Sequence, residues 1–391
     1  MDRDDAFADL VARLRDGRLT RRGFMTRALA AGASLSAAGA VLAACGEEEP
    51  AAEATLPPMD ETVPEEIVLF NWADYVAPSV LKGFEKETGI KVKVAFFDNN
   101  EAMLAKLKAG ATGYDLAVPT GYTASVLIKS GMVEPLDYDY LPNMATTLPA
   151  FQDPVYDPGT DGLHYTVPYM WGTAGYCLRT DILDDPITRW ADLWDPKYKG
   201  KISMMFDERE CLGAALKLLG YSLNTTDEAQ VNEAADKLIE QKPLVVKYVI
   251  TNSYREIVNG KAPITHCWNG EVALAYNSLG EGSDKIMRYV LPEEGFSTWV
   301  DTLVMPKGGN SRYGAHLFMD YLMRPDVAAE NALWIGYLPV GKEALETVKA
   351  ENPVADLIVP SEADMERAEV LGDVGEAAKV YSAAWQRVVS A

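Results

Sequence analysis

The chain has 391 residues, 48% of them hydrophobic and 9% aromatic, which is enough to build two folded domains and excludes a disordered polypeptide. Its formal net charge is −22. This acidic balance disfavours nucleic-acid binding, which depends on Lys and Arg, and it suits either a cationic ligand or simply the solubility of an exported protein.

The N-terminal residues 1–44 predict an export signal. Thr20-Arg21-Arg22-Gly23-Phe24-Met25 resembles a twin-arginine motif, and an uncharged stretch of small residues follows it. Leu42-Ala43-Ala44-Cys45 resembles a bacterial lipobox, in which Cys45 is lipidated and becomes the first mature residue. A short transmembrane anchor is the alternative, but about 17 residues rich in Ala and Gly are few for crossing a bilayer. Residues 45–64, rich in Glu, Ala and Pro, predict a flexible tether.

The next segment alternates predicted strands and helices. Ile67 to Phe70 is a short apolar run typical of a buried strand, 90–94 alternates as a second strand, and 114–119 is a third. Helical patterns around 80–84 and 103–107 lie between them. This order predicts an α/β unit with a mainly parallel sheet, whose ligands bind beyond the carboxyl ends of the strands.

A second α/β unit is predicted from about residue 173. Residues 201–205 and 263–268 read as strands, and 209–219, 227–240 and the segment from Glu271 as helices. Cys177, Cys211 and Cys267 allow one disulfide, and free buried thiols are an equal alternative. Neither the cysteines nor the three histidines have metal-ligand spacing, so we expect no metal and no cofactor.

Aromatic and acidic side chains cluster at or just after the predicted strand ends. This set comprises Trp72, Asp74, Tyr75, Tyr122, Asp207, Glu210, Trp268, Glu271, Trp299 and Asp301. Such a cleft suits an elongated organic cation, because carboxylates bind ammonium groups while aromatic faces cover the methylenes and attract the charge. Each residue also has a structural interpretation: a Trp can be core packing, Asp207 or Asp301 a helix N-cap, and Glu210 or Glu271 a first-turn acid.

From Ile67 to the C-terminus the chain resembles the spermidine/putrescine-binding family of bacterial ABC-transporter substrate-binding proteins. The resemblance is carried by many spaced segments. They are 70–75 (FNWADY), 118–122 (VPTGY), 167–173 (VPYMWGT), 190–196 (WADLWDP), 207–210 (DERE), 268–271 (WNGE), 299–301 (WVD) and 335–337 (IGY).

The resemblance implies a two-lobed, hinged periplasmic-binding-protein fold in which each lobe has a mainly parallel sheet flanked by helices. We expect lobe 1 over 65–172 and 301–345, and lobe 2 over 173–300 and 346–391. By position, the resemblance implies that one wall of the cleft is lined by Trp72, Asp74, Tyr75, Thr120 and Tyr122, and the other by Asp207, Glu210 and Trp268. Trp299 and Asp301 are expected near the point where the chain crosses back to the first lobe, and Tyr337 completes the aromatic wall. The expected partners are a polyamine ligand and an ABC permease with its ATPase. We expect the protein to be a monomer that is held in the cell envelope by a lipid anchor.

Two positions depart from the spermidine-binding pattern. Leu371 stands where a spermidine-type member has a glutamine, and Glu271 adds a carboxylate that resembles the putrescine-type pattern. The choice between putrescine and spermidine therefore stays open.

Other functions fit less well. Paired carboxylates with aromatics also describe glycosidases, but the chain lacks the GxSxG, GxxxxGK[ST] and HExxH motifs of other enzyme classes, and a binding cleft needs no chemistry. A sugar or another small cation is an alternative ligand. An amino acid is less suitable, because Arg209 is the only basic residue within the wall motifs. A purely structural envelope protein has little support from such a cleft.

Overall fold

The computed structural model describes residues 56–159, 162–250 and 252–391. The predicted signal peptide, Cys45 and the tether up to residue 55 lie outside these ranges. Within them, no helix is both long and apolar enough to cross a membrane.

Thirteen strands are present in the described residues. They are β1 (Glu66–Trp72), β2 (Lys91–Phe97), β3 (Leu116–Ala117), β4 (Val133–Glu134), β5 (Val167–Arg179), β6 (Ile202–Met205), β7 (Val245–Val249), β8 (Ile264–Trp268), β9 (Met287–Val290), β10 (Phe296–Leu303), β11 (Met305–Pro306), β12 (Leu338–Pro339) and β13 (Ala368–Val370).

The same part of the chain forms thirteen α-helices. They are α1 (Pro78–Thr88), α2 (Asn100–Lys108), α3 (Gly121–Lys129), α4 (Glu208–Leu218), α5 (Glu228–Gln241), α6 (Tyr254–Asn259), α7 (Asn269–Leu279), α8 (Arg312–Met323), α9 (Pro325–Ile335), α10 (Lys342–Glu351), α11 (Ala355–Ile358), α12 (Glu362–Met365) and α13 (Ala378–Ser390).

The first lobe is built on a three-stranded parallel sheet of order β2-β1-β3. Its central strand, β1, is largely buried: Ile67, Leu69 and Phe70 have almost no exposed surface. Asp115 fastens this sheet to the start of α8: its carboxylate accepts backbone N–H bonds from Val68 and from residues 310 and 311 at 2.6–2.8 Å. Strand, helix, strand, helix, strand is the predicted order, and all five elements are confirmed.

The second lobe surrounds a larger mixed sheet of order β13-β10-β5-β8-β6-β7, in which β9 and β12 also pair with β5. The β6 pairs with β7 and β8 are parallel, as is the pair of β10 with β13. Strands β5 and β10 are antiparallel and fully buried. They connect the lobes, because the first half of β5 pairs with β12 and its second half with β8 and β9. The predicted two-lobed α/β fold is confirmed.

Two features of the core qualify the sequence analysis. The largest apolar cluster runs from Phe84 and Phe318 of the first lobe to Cys267 in β8 and Val272 in α7. Because this cluster is shared by both lobes, the predicted lobe boundaries stay a prediction. Cys177, Cys211 and Cys267 are all free and buried, which decides the open alternative in favour of thiols.

The predicted position of Trp299 and Asp301 is wrong in one respect. Both lie inside β10 and not at or after the end of a strand. The reason is that β10 crosses between the lobes, so its interior residues occupy the place where a cleft between lobes opens. For the same reason Asp301 is not a helix N-cap.

Candidate functional site

The first group of site residues follows β1 and β3, two adjacent parallel strands of the first lobe. Trp72 is the last residue of β1, and Asp74 and Tyr75 lie in the loop before α1. Thr120 and Tyr122 lie at the start of α3, after β3. Because the carboxyl ends of parallel strands meet at one sheet edge, these residues come together there.

Asp301 is the buried acidic centre of this group, with 6% of its surface exposed. Its Oδ2 accepts a hydrogen bond from the Tyr75 hydroxyl at 2.7 Å, and its Oδ1 accepts one from the Thr120 hydroxyl at 2.7 Å. Burial raises the pKa of Asp301 to about 6, and the two hydroxyl donors limit that rise. A nearby cation would therefore stabilise the buried carboxylate, because its only partners among the described residues are neutral donors.

An aromatic wall stands beside Asp301. The Tyr337 ring meets the Trp299 ring edge-on at 5.0 Å and the Tyr75 ring at 5.9 Å. Glycines make room for these rings: a Cβ on Gly172 would come within 2.6 Å of Trp299, and one on Gly270 within 2.4 Å of Tyr337. Trp299 of β10 lies directly opposite Gly172 of β5, so the register of the sheet places the indole next to a residue that has no side chain.

Glu210 is a second buried acidic centre, on α4 of the second lobe. Its Oε1 accepts the indole N–H of Trp268 at 3.0 Å, and its Oε2 accepts the hydroxyl of Ser297. Asp207 caps the same helix by accepting the N–H of Glu210 at 2.9 Å, which confirms the N-cap interpretation of that residue. Burial, with the charge of Asp207 added, raises the pKa of Glu210 to about 7. Burial also raises the pKa of Asp207.

Strand β10 joins the two acidic centres. Ser297, Trp299 and Asp301 alternate along it, so their side chains lie on one face, with Ser297 reaching Glu210. Four residues of strand span about 13 Å. That length is comparable to an extended alkyl diamine with a hydrogen bond at each end, and the Trp299 ring lies between the two ends.

The mouth of the site brings the two lobes into contact. The Arg209 guanidinium lies over the Tyr122 ring at 5.5 Å, and the Lys129 ammonium is 2.7 Å from the carboxylate of Asp373. Arg209 also donates to the carbonyl of Gly372, which fixes the loop that follows β13. Leu371 in that loop is buried, with 6% exposed.

Three predicted residues have other surroundings. The Trp72 indole N–H donates to the carbonyl of Val118 at 2.9 Å, so this ring is fastened within the first lobe. Asp74 is exposed, has φ of +54°, and makes no hydrogen bond or ion pair among the described residues. Glu271 is buried and accepts the N–H of Tyr254 at 2.6 Å, at the start of α6. Its pKa is raised by burial to about 7.

Two side chains that contact the site, Asn100 and Ser297, were not predicted from the sequence. Asn100 donates from its amide to the hydroxyls of Thr120 and Tyr122 at 3.1 and 3.0 Å. It follows the end of β2, so the criterion that selected the other residues also applies to it. Ser297 lies in β10, where no signal in the sequence separates a site residue from a core residue.

The chemistry of the arrangement suits an organic cation. Within residues 56–159, 162–250 and 252–391, no group of His, Cys, Asp and Glu side chains has the geometry of a metal site. Two buried carboxylates, three aromatic rings and the acidic Asp207 surround the cleft between the lobes. Charge-assisted hydrogen bonds and ring–cation attraction are the interactions that such a set offers.

Comparison with known proteins places the chain in a family. Residues 79–356 match the model of the bacterial extracellular solute-binding protein family. The spermidine/putrescine-binding periplasmic protein of Salmonella typhimurium is 34% identical over 324 residues, which cover 82% of this chain and 91% of that protein.

Two solved structures are similar over most of the fold. A spermidine/putrescine ABC transporter protein from Listeria monocytogenes has a TM-score of 0.77 at 32% identity, covering 83% of this chain and 99% of its own. The TpPotD lipoprotein of Treponema pallidum has a TM-score of 0.75 at 29% identity, with the same coverage. The chain therefore belongs to the bacterial extracellular solute-binding protein family.

Proposed function

We propose that the protein binds a polyamine outside the cytoplasm and delivers it to an ABC permease. The observation that carries this proposal is the pair of buried carboxylates, Asp301 and Glu210, at the two ends of one face of β10. A buried carboxylate without a cation is costly, so each centre stabilises an ammonium group that enters the cleft. The Salmonella typhimurium relative named above is a spermidine/putrescine-binding protein, which supports the same ligand class.

The proposed ligand lies along β10 between the acidic centres. Trp299, Tyr337 and Trp268 cover its methylenes, while Asp301 and Glu210 accept from its terminal amines. Asp207, Tyr75, Thr120 and Tyr122 complete the walls, and Trp72, Asp74 and Glu271 are included in the proposed site on the family resemblance. The ligand stabilises a closed state, because only there do groups on both lobes contact it.

A diamine is the form of polyamine that the site supports better. Leu371 presents a buried apolar side chain within the loop that Arg209 fixes, and it offers no hydrogen-bond acceptor to a third amine. We therefore expect putrescine to bind more tightly than spermidine.

The proposal includes the cell envelope as the place of action. Export through the twin-arginine motif, lipidation at Cys45 and a monomeric state fit a binding protein that works beside its permease. The role requires no catalytic step, since capture and release are both changes of lobe position. A lipid anchor is tested by metabolic labelling with a fatty acid, which should be incorporated into the wild-type chain and lost in Cys45→Ser.

The binding role is tested by thermal unfolding of residues 56–391 with putrescine, spermidine, maltose or glutamate added separately. A ligand at 100 times its dissociation constant stabilises the folded state by about 2.7 kcal/mol, which raises the midpoint by a few degrees. We expect a shift with a polyamine and none with maltose or glutamate. A shift with maltose alone would indicate a sugar-binding protein instead. In a separate assay, hydrolysis of chromogenic glycosides would indicate a glycosidase.

A further inference from the structure

The loop between β1 and α1 carries Tyr75, whose hydroxyl donates to Asp301. Asp74 just before it adopts φ of +54°, a left-handed conformation that an aspartate tolerates but that local sequence alone does not secure. Within the first lobe, Asn71 donates to the Tyr75 carbonyl at 3.2 Å and accepts the Trp72 N–H at 2.9 Å. These bonds hold the start of the loop.

A second set of bonds reaches the loop from two distant elements. The Tyr169 hydroxyl on β5 donates to the carbonyl of Tyr75 at 2.7 Å, and it accepts a bond from the Asn331 amide on α9 at 2.7 Å. The Asn331 side-chain oxygen accepts the N–H of Ala77 at 2.8 Å. Tyr169 and Asn331 are 5% and 1% exposed, so water does not compete for these bonds.

We propose that Tyr169 and Asn331 are positioning residues, which hold the carbonyl of Tyr75 and the N–H of Ala77 so that the Tyr75 hydroxyl stays on Asp301. This inference deepens the proposed function and rests on it for its effect on ligand affinity. Tyr169 and Asn331 are not placed to contact the ligand themselves: their polar atoms are used on the loop and on each other. Their role is to fix the geometry of an acidic centre through another residue.

The crossing strand gives this arrangement a further consequence. In the pairing of β5 with β10, Asp301 lies opposite Met170, and Tyr169 is the residue before Met170. Strand β5 therefore carries both the residue opposite Asp301 and the hydroxyl that holds the Tyr75 carbonyl. A movement of β5 relative to α9 therefore changes the distance between the Tyr75 hydroxyl and Asp301. The centre is complete only when the strand, the loop and α9 keep these relative positions.

The first measurement uses no ligand. The carboxyl titration of Asp301 is followed by ¹³C NMR on aspartate-labelled protein, assigned with Asp301→Asn. Among the groups around Asp301, the tyrosines at 156, 169 and 337 have pKa values raised mainly by burial, so they stay neutral over the pH range in which Asp301 titrates. Tyr169→Phe should raise the Asp301 pKa, because a displaced Tyr75 no longer donates to the carboxylate.

The second measurement is calorimetric binding of putrescine. Tyr169→Phe should weaken binding roughly two- to tenfold, the loss that one hydrogen bond usually causes. In a Tyr75→Phe background the same substitution should have no further effect, because its target hydroxyl is already absent. Tyr138→Phe is the matched control: it removes a 2.8 Å hydroxyl bond to the carbonyl of Thr166 and should leave both measurements unchanged.

Each outcome decides between the two proposals. A Tyr169→Phe protein with a lower melting midpoint but an unchanged Asp301 pKa and unchanged binding would overturn the positioning role. So would an effect of equal size in the Tyr75→Phe background. If Asp301 shifts as expected while the wild-type protein binds no polyamine, the positioning role stands and the proposed function fails.

Discussion

The two buried acidic centres are constructed differently. Asp301 takes its hydrogen-bond donors from Tyr75 and Thr120, which are 226 and 181 residues away in sequence. Glu210 takes its donors from Trp268 and Ser297 within the second lobe, and it has another carboxyl group, Asp207, on the same helix turn. The pKa is raised to about 6 for Asp301 and to about 7 for Glu210.

The difference assigns separate tasks to the two centres. Asp301 depends on the relative placement of a loop, a helix start and the crossing strand, so its geometry reports the state of the whole first lobe. Glu210 is held locally and has a second acid, Asp207, nearby, so a carboxylate remains at this centre when Glu210 is replaced. We expect ligand affinity to be more sensitive to changes at Asp301 than at Glu210.

Asp301→Asn should cause the largest loss. Removing one partner of a buried charge pair costs about 2–5 kcal/mol, which corresponds to a loss of affinity from about thirtyfold to more than a thousandfold. Isothermal titration calorimetry with putrescine measures it. Asp326→Asn removes an acid whose side chain is 72% exposed on α9, and it should bind like the wild type. Equal affinity of the two variants would contradict the assignment of Asp301.

Glu210→Gln should reduce affinity less, by roughly ten- to a hundredfold, because Asp207 still supplies a carboxylate. The variant also tests the cost of burial. A carboxyl with a raised folded-state pKa contributes stability below its unfolded value of 4.5 and loses it as the pH rises through about 7. Without ligand, Glu210→Gln should therefore melt above the wild type at pH 8 and near it at pH 4.5. A lower midpoint at pH 8 would mean that the hydrogen bonds from Trp268 and Ser297 to the carboxylate outweigh the cost of burying its charge.

Gly172→Ala should disturb the aromatic wall that lies between the centres. Its Cβ would lie 2.5 Å from the Asn269 side-chain oxygen and 2.6 Å from the Trp299 ring, and overpacking of this kind costs typically about 1–3 kcal/mol. Both the melting midpoint and the affinity should fall, and tryptophan fluorescence should report a changed Trp299 environment. Gly341→Ala is the control, because its Cβ meets nothing closer than 3.5 Å.

Lys129→Gln should have the smallest effect. The Lys129 side chain is 67% exposed, and pairs of this kind contribute about 0–1 kcal/mol, so affinity should change less than about fivefold. The difference from the wild type should vanish in high salt. Lys379→Gln breaks an exposed pair within one short segment and should show no change at any salt concentration. A loss above tenfold in Lys129→Gln would make the lobe contact a major determinant of closure.

Much of the fold could be predicted from the sequence, because its strands are short apolar runs and its helices carry one apolar face. The strand at Ile67 and the helix around Phe84 follow directly from that periodicity. The crossing strands could not be predicted in this way. β5 is buried over all thirteen residues and pairs with elements of both lobes, and such pairing depends on residues far apart in the chain.

The site was predictable where residues follow strand ends, as Tyr75 and Thr120 do. Trp299 and Asp301 were predicted as site residues, but their place inside β10 was not predictable, because in a buried crossing strand the distinction between a packing residue and a site residue depends on the other lobe. The same limit applies to Tyr169, whose hydroxyl acts on a loop 94 residues earlier in the chain. Its segment contributed to the family resemblance, but nothing in the sequence indicates the target of that hydroxyl.

In the proposed function, ammonium groups bind carboxyl groups whose pKa values burial has raised. Counting the protons released on binding tests it most directly, by titrating putrescine into the protein in buffers of different ionisation enthalpy at pH 6.5 and pH 8. With the pKa of Glu210 raised to about 7 and that of Asp301 to about 6, both are partly protonated at pH 6.5 and ionised at pH 8.

Binding should therefore release protons at pH 6.5 and very few at pH 8, and affinity should rise between these values. Asp301→Asn and Glu210→Gln should each reduce the number released. Binding heats at pH 6.5 that are the same in every buffer would mean that no carboxyl group changes its protonation on binding, which would contradict the pairing of ammonium groups with Asp301 and Glu210.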